Sequence, residues 1–487
     1  MKMVRSGVFL KFLVMILSAS LFTSLVPMWG ASYVVGAVDQ TGVPKNAVHI
    51  QTADQLAGIG GAQSVGRYFV LDNDIDLADE WVPINDFRGK FDGQGYSISG
   101  LYVLESSSRL SAGLFGKITV NGTTIKNVGV HLSSKGLTAS ASRTAAPASA
   151  CAGGLVGYVV GSVFVENCYV VGDVIAVADN FYSSGAYAGG LIGSGGGTVV
   201  NSYTSGDITA TSSISSAYAG GLIGSGGSVV VENSYTAGDV TASGSGWGLY
   251  PACAGGLVGY SGSGATVTNS YALGNIAATT TTYYSATASK AGAGGLVGYS
   301  GYGDVIVTNS YTTGDITATA PASAYAGGLI GYAWIGYVIM ENSYVVGDIT
   351  SSGSPAYVGG LASYSDGGIV TTNCFRISSQ KLIGDTINDA GKPLSPKEMK
   401  LQQSFIDWDF ETIWAIDPHI NKGYPHLIPI TPTVNDANNL FGSFWFATLS
   451  VMIAVLVVVG IVYMLLHKRR SKSANLKNTN VLNGLEV

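Results

Sequence analysis

The chain has 487 residues, 47% of them hydrophobic and only 11% charged, with 68 glycines. High apolar content with little charge excludes a disordered chain, and glycines that do not recur at every third position exclude collagen. Between residues 151 and 375 stand eleven acidic residues and one lysine, Lys290, which excludes a nucleic-acid binder because that role needs the opposite sign.

In chain order, Lys2, Arg5 and Lys11 precede an apolar run over residues 12–26. That is the layout of a secretory signal, predicted over residues 1–37 with cleavage after Ala37; an uncleaved N-terminal anchor is the alternative. Residues 45–150 are expected to form an N-terminal cap and divergent first coils. Thr52 with Gln55 makes a capping box for a short helix over 53–58. Residues 68–77 alternate as a strand, which accounts for Asp72, Asp74 and Asp76; the Gly and distal Glu of a calcium loop are missing there. Residues 91–101 and 113–116 read as early coils, 125–130 as their closing strand, and 133–150 as a loop of small residues.

Seven copies of one unit occupy residues 151–375. Each opens with Gly-Gly-Leu, at Leu155, Leu191, Leu222, Leu257, Leu296, Leu329 and Leu361. The second halves carry Asn167-Cys-Tyr169, then Asn-Ser-Tyr from Asn201, Asn233, Asn269, Asn309 and Asn342, and finally Asn373-Cys-Phe. The leucine spacings are 36, 31, 35, 39, 33 and 32 residues, and most of the slack falls after Gly-Asp-Ile. Each unit is therefore a fixed part plus a tolerant loop. The fixed part reads as three short strands, with no helical period. Three strands per turn, bent at Gly and Asn, make one coil of an all-β, right-handed parallel β-helix with short helical caps. No unit buries its apolar face alone, so coils must stack. Stacking predicts a row of leucines, a row of tyrosines ring on ring, and a ladder of asparagine amides.

The Gly-Gly-Leu-Val/Ile-Gly and Asn-Ser-Tyr-x-x-Gly-Asp segments resemble the GLUG motif family of bacterial and archaeal surface proteins, over roughly residues 68–427. The resemblance implies a surface repeat and no particular activity. Some surface proteases carry such repeats beside a zinc catalytic domain, but this chain has no His-Glu-x-x-His, so that activity does not carry over.

After Cys374 the composition shifts toward a C-terminal cap, residues 376–430. Ser395-Pro396-Lys-Glu398 is a capping box with Pro at the first helical position, predicting a helix to about Ser404. Trp408, Phe410, Trp414, Tyr424 and Leu427 are expected to cover the last coil. A linker, 431–440, leads to an uncharged apolar run over 441–466, long enough to span a bilayer. His467, Lys468, Arg469, Arg470 and Lys472 follow, so residues 467–487 are expected inside and the bulk of the chain outside the cell membrane. The cysteines recur at equivalent repeat positions, Cys151 with Cys253 and Cys168 with Cys374, too many coils apart to pair. A Cys151–Cys168 bridge fits within one coil, but all four read better as small core residues.

Two sets of residues are candidates for chemistry. The Gly-Asp column, Asp173, Asp207, Asp239, Asp315 and Asp348 with Asn275 among them, would stack carboxylates at roughly 4.8 Å. Calcium would relieve the repulsion; the plainer role is capping backbone N–H groups at the bend. Aromatic loop residues Phe181, Tyr182, Trp247, Tyr250, Tyr283, Tyr284 and Trp334 could meet glycans or proteins. No cofactor other than calcium is implied. The histidines, His49, His131, His419, His426 and His467, lack metal-ligand spacing, and no nucleophile elbow is present. A carboxylate pair of glycosidase type stays open. The expected function is a non-enzymatic, membrane-anchored surface scaffold acting through multivalent contacts; a carbohydrate-active β-helix enzyme and a purely structural envelope component are the alternatives.

Overall fold

In this computed structural model the structure describes residues 42–104, 110–141, 148–179, 183–245, 252–281 and 289–429. The signal segment, the linker, the apolar run 441–466 and the tail lie outside them, as do Phe181, Tyr182, Trp247, Tyr250, Tyr283 and Tyr284. Among the described residues no helix is long and apolar enough to cross a membrane.

Between residues 48 and 394 the described chain winds into a parallel β-solenoid with three sheets. One coil shows the plan. Ala252–Gly255 lies in sheet 3, Val258–Ser261 and Ala265–Thr268 lie in sheet 1, and Tyr271–Ala272 with Ile276–Thr281 lie in sheet 2. Each strand pairs in parallel with its equivalent in the next coil: Val258 opposes Val297, Tyr271 opposes Tyr311, and Ala252 opposes Ala291. The three strands expected per coil are thus five segments on three sheets. The Ala-x-Ala-Gly strand of sheet 3 escaped the sequence reading because alanine and glycine have low strand propensity. It extends because the neighbouring coil supplies its ladder.

Alternation puts a leucine, valines, isoleucines and alanines inside every coil. Leu114, Leu155, Leu191, Leu222, Leu257, Leu296, Leu329 and Leu361 form one fully buried inner row. Two polar ladders and a stack of rings tie coil to coil at the corner between sheets 1 and 2. The asparagines there sit in left-handed backbone, with φ between 47° and 54° from Asn127 to Asn373. Asn233 donates its side-chain amide to Asn201 Oδ1 (3.1 Å), Asn269 to Asn233 (3.0 Å) and Asn309 to Asn269 (3.0 Å). A separate run nearer the N-terminus ends on a carboxylate: Asn167, whose own Oδ1 accepts no bond, donates to Asn127, and Asn127 to Asp92, a buried acid also held by Lys126 and Tyr68. Beside it, Ser202, Ser234, Ser270, Ser310 and Ser343 each accept the backbone N–H of the preceding coil and donate to the carbonyl two residues back. Cys168 and Cys374 stand at the two ends of this serine column. The tyrosines point outward and stack: Tyr169, Tyr203, Tyr235, Tyr271, Tyr311 and Tyr344 lie at centroid spacings of 5.2, 4.9, 4.8, 4.8 and 5.0 Å.

The ends differ. At the N-terminal end a helix, Ala53–Ala57, carries the Thr52–Gln55 capping box and buries Leu56. Residues 133–140 are not a loop: Leu137–Ser140 pairs with Val174–Val177, because Leu137 and Ala139 continue the inner columns. The expected helix over 395–404 is also corrected. Ser395 and Glu398 do exchange their capping bonds, but only two 3-10 turns follow, Glu398–Lys400 and Gln402–Ser404, because Leu401 is extended. Trp408, Phe410, Trp414, Tyr424 and Leu427 pack against Tyr311, Tyr344 and Phe375. They cover the outward tyrosine column near its end.

The Gly-Gly corner leaves no room for a side chain. A Cβ on Gly256 would collide with the Gly295 carbonyl oxygen, whereas one on Gly227 meets nothing within 4 Å. Gly256→Ala should therefore destabilise by about 3 kcal/mol, and Gly227→Ala by a few tenths at most. Urea midpoints check both.

Candidate functional site

The acidic column is a capping ladder. Asp173 Oδ1 accepts the N–H of Asp207 (2.9 Å), Asp207 that of Asp239 (2.9 Å), and Asp239 that of Asn275 (2.7 Å). Asn275 then accepts from Asp315 (3.0 Å), Asp315 from Asp348 (2.8 Å), and Asp348 from Lys381 (2.9 Å). Asn275 fills the position without a charge, so the column needs an acceptor rather than a carboxylate. Among the described residues no three His, Cys, Asp or Glu side chains gather as a metal cluster. Asp72 and Asp74 likewise bind neighbours, the first His49 and Gln51, the second Ser97. These bonds hold both carboxyls below their ordinary range.

The four cysteines are buried, unpaired thiols. Burial pushes Cys151, Cys168 and Cys374 up to about 12 and raises Cys253 as well.

The corner between sheets 3 and 1 carries the least expected feature. Two outward columns flank it: Cys151, Tyr187, Tyr218, Cys253, Gly292, Tyr325 and Tyr357 on sheet 3, and Tyr158, Ser194, Ser225, Tyr260, Tyr299, Tyr332 and Tyr364 on sheet 1. In the first five coils one column holds a tyrosine where the other holds Cys, Ser or Gly. The rings nevertheless form one stack that crosses sheets. Tyr187, Tyr218, Tyr260, Tyr299, Tyr332 and Tyr364 follow at 5.2, 4.8, 5.2, 5.5 and 5.5 Å. Tyr325 and Tyr357 add a second stack at 4.9 Å, pressed against the first. Where Ser194 and Ser225 replace rings, a shallow trough of about 430 Å³ opens, also lined by Tyr158, Ser162 and Ser228.

This cluster supports an exposed platform on sheet 1 over the last three coils. Trp334 packs on the buried tyrosines, and its ring lies 5.5 Å from that of Tyr302. On the same coils of sheet 1, Tyr302 (54%), Ile335 (48%), Tyr337 (40%), Tyr364 (38%), Ile339 (37%) and Val370 (37%) are open to solvent, with Tyr302 beside Ile335 and Ile339 beside Val370. Asp304 sits inside the patch and accepts the N–H of Tyr337 at 2.8 Å. Residues 291–375 contain no lysine or arginine. Of the aromatic loop residues marked from sequence, Trp334 is here. Tyr302, Tyr337 and Tyr364 were missed, although earlier coils hold Gly or Ser at several of the corresponding points. Among the described residues the histidines stay apart: His49 faces Asp72, His131 meets the edge of Tyr169, and His426 is buried in the C-terminal cap.

The GLUG motif matches residues 250–277. That span holds one Gly-Gly-Leu and one Asn-Ser-Tyr, the two corners of a GLUG coil. No curated protein matches the chain by sequence. Among solved structures it is similar to a candidate immunoglobulin A1 protease from Bacteroides ovatus, at 18% identity and TM-score 0.35, covering 80% of this chain and 94% of that one. An IgA1 protease matches at 14% identity and TM-score 0.37, over 82% of this chain but only 26% of its own length. The SRRP of L. reuteri 53608 matches at 11% identity and TM-score 0.28, over 68% and 99%. At these scores the likenesses carry nothing about activity.

Three outcomes follow. Asp239→Asn should change stability by no more than a few tenths of a kcal/mol, Asp239→Ala should cost about 1 kcal/mol, and a chelator should leave the melting temperature unchanged; a rise of several degrees with added calcium would restore the cation reading. A thiol reagent at pH 8 should find no reactive cysteine in the native protein and all four after denaturation. Burial lifts the Tyr325 phenol to about 12 and pushes Tyr218, Tyr271, Tyr311 and Tyr344 up too. Their folded values exceed the unfolded one, so their contribution is complete below about pH 10 and is lost as pH rises further, when unfolded phenols ionise first. The melting temperature should hold to about pH 10 and then fall.

Proposed function

We propose that this chain is a non-enzymatic surface scaffold that binds an extended neutral or cationic polymer, such as a cell-surface glycan, through the aromatic platform around Trp334. The supporting observation is the platform itself: Trp334 braced from behind by stacked tyrosines, bordered by exposed tyrosines and an aspartate. Monomeric proteins seldom expose contiguous apolar patches without a use for them. Rigid aromatic rings supply contact area at little entropic expense, and tyrosine hydroxyls and Asp304 offer polar partners. The lack of basic residues disfavours a polyanion. The outward tyrosines Tyr169, Tyr203, Tyr235 and Tyr271, half exposed at regular spacing, add weak repeated contacts along the solenoid, so that avidity supplements each one. Export through residues 1–37 and anchoring through residues 441–466 belong to the same proposal.

A carbohydrate-active enzyme is the alternative that the sequence leaves open, so cleavage is the reading to test against. A glycan array with the full chain in detergent should show saturable binding without release of reducing ends. Trp334→Ala should weaken it about tenfold, equivalent to about 1.4 kcal/mol. Cleavage of the glycan would contradict the proposal.

A further inference from the structure

The solenoid ends with one side of a coil missing. The last complete coil places Ala356–Gly359 in sheet 3 and Ala362–Ser365 with Ile369–Thr372 in sheet 1. The chain then lays Phe375–Ile377 and Leu382–Ile383 under sheet 2, and Thr386–Asn388 under sheet 3. Sheet 1 should come next. Instead the backbone turns at Gly391 (φ 93°), and Lys392–Leu394 pairs back onto Phe375–Ile377 in sheet 2. Among the described residues, Ala362–Ser365 pairs only with Ile330–Ile335, and Ile369–Thr372 only with Val338–Glu341.

The groups left at that edge have a defined direction. In the preceding coil Val338 and Asn342 donate their N–H groups forward, to Gly368 and Thr372. By the same register Ile369 and Thr371 point theirs away from the solenoid body. The side-chain columns also stop there. Inward, Val305 and Val338 are followed by a half-buried Ile369, and Val307 and Met340 by an exposed Thr371. Outward, the columns end at Val370 and Tyr364, both open to solvent. The opposite end of the molecule is closed by the helix Ala53–Ala57, with Leu56 inserted into the core. An open parallel edge presents unpaired donors and acceptors to any extended chain.

We propose that the sheet 1 edge formed by Ile369–Thr372, with Tyr364 exposed beside it, is a β-augmentation site, which takes an extended, uncharged strand from another protein. The strand supplies the missing side: an aromatic residue continuing the Tyr299–Tyr332–Tyr364 stack and β-branched residues continuing the Ile306–Ile339–Val370 column. Main-chain bonds give the affinity and these columns select the sequence. The site shares Tyr364 and Val370 with the border of the Trp334 platform, but its readout, exchange at the backbone of Ile369–Thr372, does not depend on the glycan reading.

The probe is a synthetic peptide with the sequence of residues 256–268, an uncharged stretch that lays down the same side three coils earlier. Hydrogen exchange on the full chain should show saturable slowing at Ile369–Thr372 with this peptide and none with a scrambled one. Thr371→Pro removes an outward N–H without touching the ladder to the preceding coil. It should keep the melting temperature and weaken the peptide at least tenfold. Thr371→Lys, a charge at an already exposed edge position, gives the same reading should the proline variant fold poorly. Absence of protection at saturating peptide, or equal protection in both variants, overturns the proposal. A concentration-dependent dimer abolished by Thr371→Pro also overturns it, by assigning the edge to a second copy.

Discussion

From Asn127 to Asn373 every coil turns from sheet 1 to sheet 2 at an asparagine held in left-handed backbone, and along much of that run each such amide bonds the next. This places three demands on one residue. It must tolerate a positive φ, which asparagine does better than other non-glycine residues. It must offer a donor and an acceptor along the solenoid axis. It must leave the corner compact enough for the adjacent serine to bridge two coils. Once the corner is fixed, a one-residue slip anywhere in the coil would turn the inner leucine and valine rows outward. The tyrosine stacks, the aspartate caps and the Gly-Gly corner all inherit their register from it.

This division of labour was largely legible in the sequence. Asn-Ser-Tyr-x-x-Gly-Asp recurs with fixed internal spacing, and each position in it forms a ladder. The variable stretches were harder. Leu137–Ser140 looked like loop because serine, glycine and alanine dominate around it; only pairing with Val174–Val177 makes it a strand. The Ser395–Glu398 box did form, yet Leu401 breaks the helix, since local capping cannot override a tertiary requirement for extended chain.

The aromatic site was hidden for a geometric reason. The two corner columns are seven residues apart in the chain, as in Cys253 and Tyr260 or Tyr325 and Tyr332. Nothing in a linear reading says that Tyr218 of one sheet stacks on Tyr260 of another. Whether Tyr302 or Ile335 faces water depends on the parity of a short irregular bend, which spacing alone does not fix. The repeat rows build the scaffold, and the departures from the repeat carry what is specific: the platform near Trp334, the trough beside Ser194 and Ser225, and the side of a coil that the chain omits.

The register of the solenoid depends on the asparagine bonds acting between coils rather than as separate turn-formers. A double-mutant cycle on Asn233 and Asn269 tests this directly. Glycine at each position keeps the left-handed backbone accessible and deletes only the amide. A coupling energy of about 1 kcal/mol between the two substitutions, from urea unfolding, is the predicted result. Strict additivity, within about 0.3 kcal/mol, would mean that each corner folds on its own and that the ladder does not set the register.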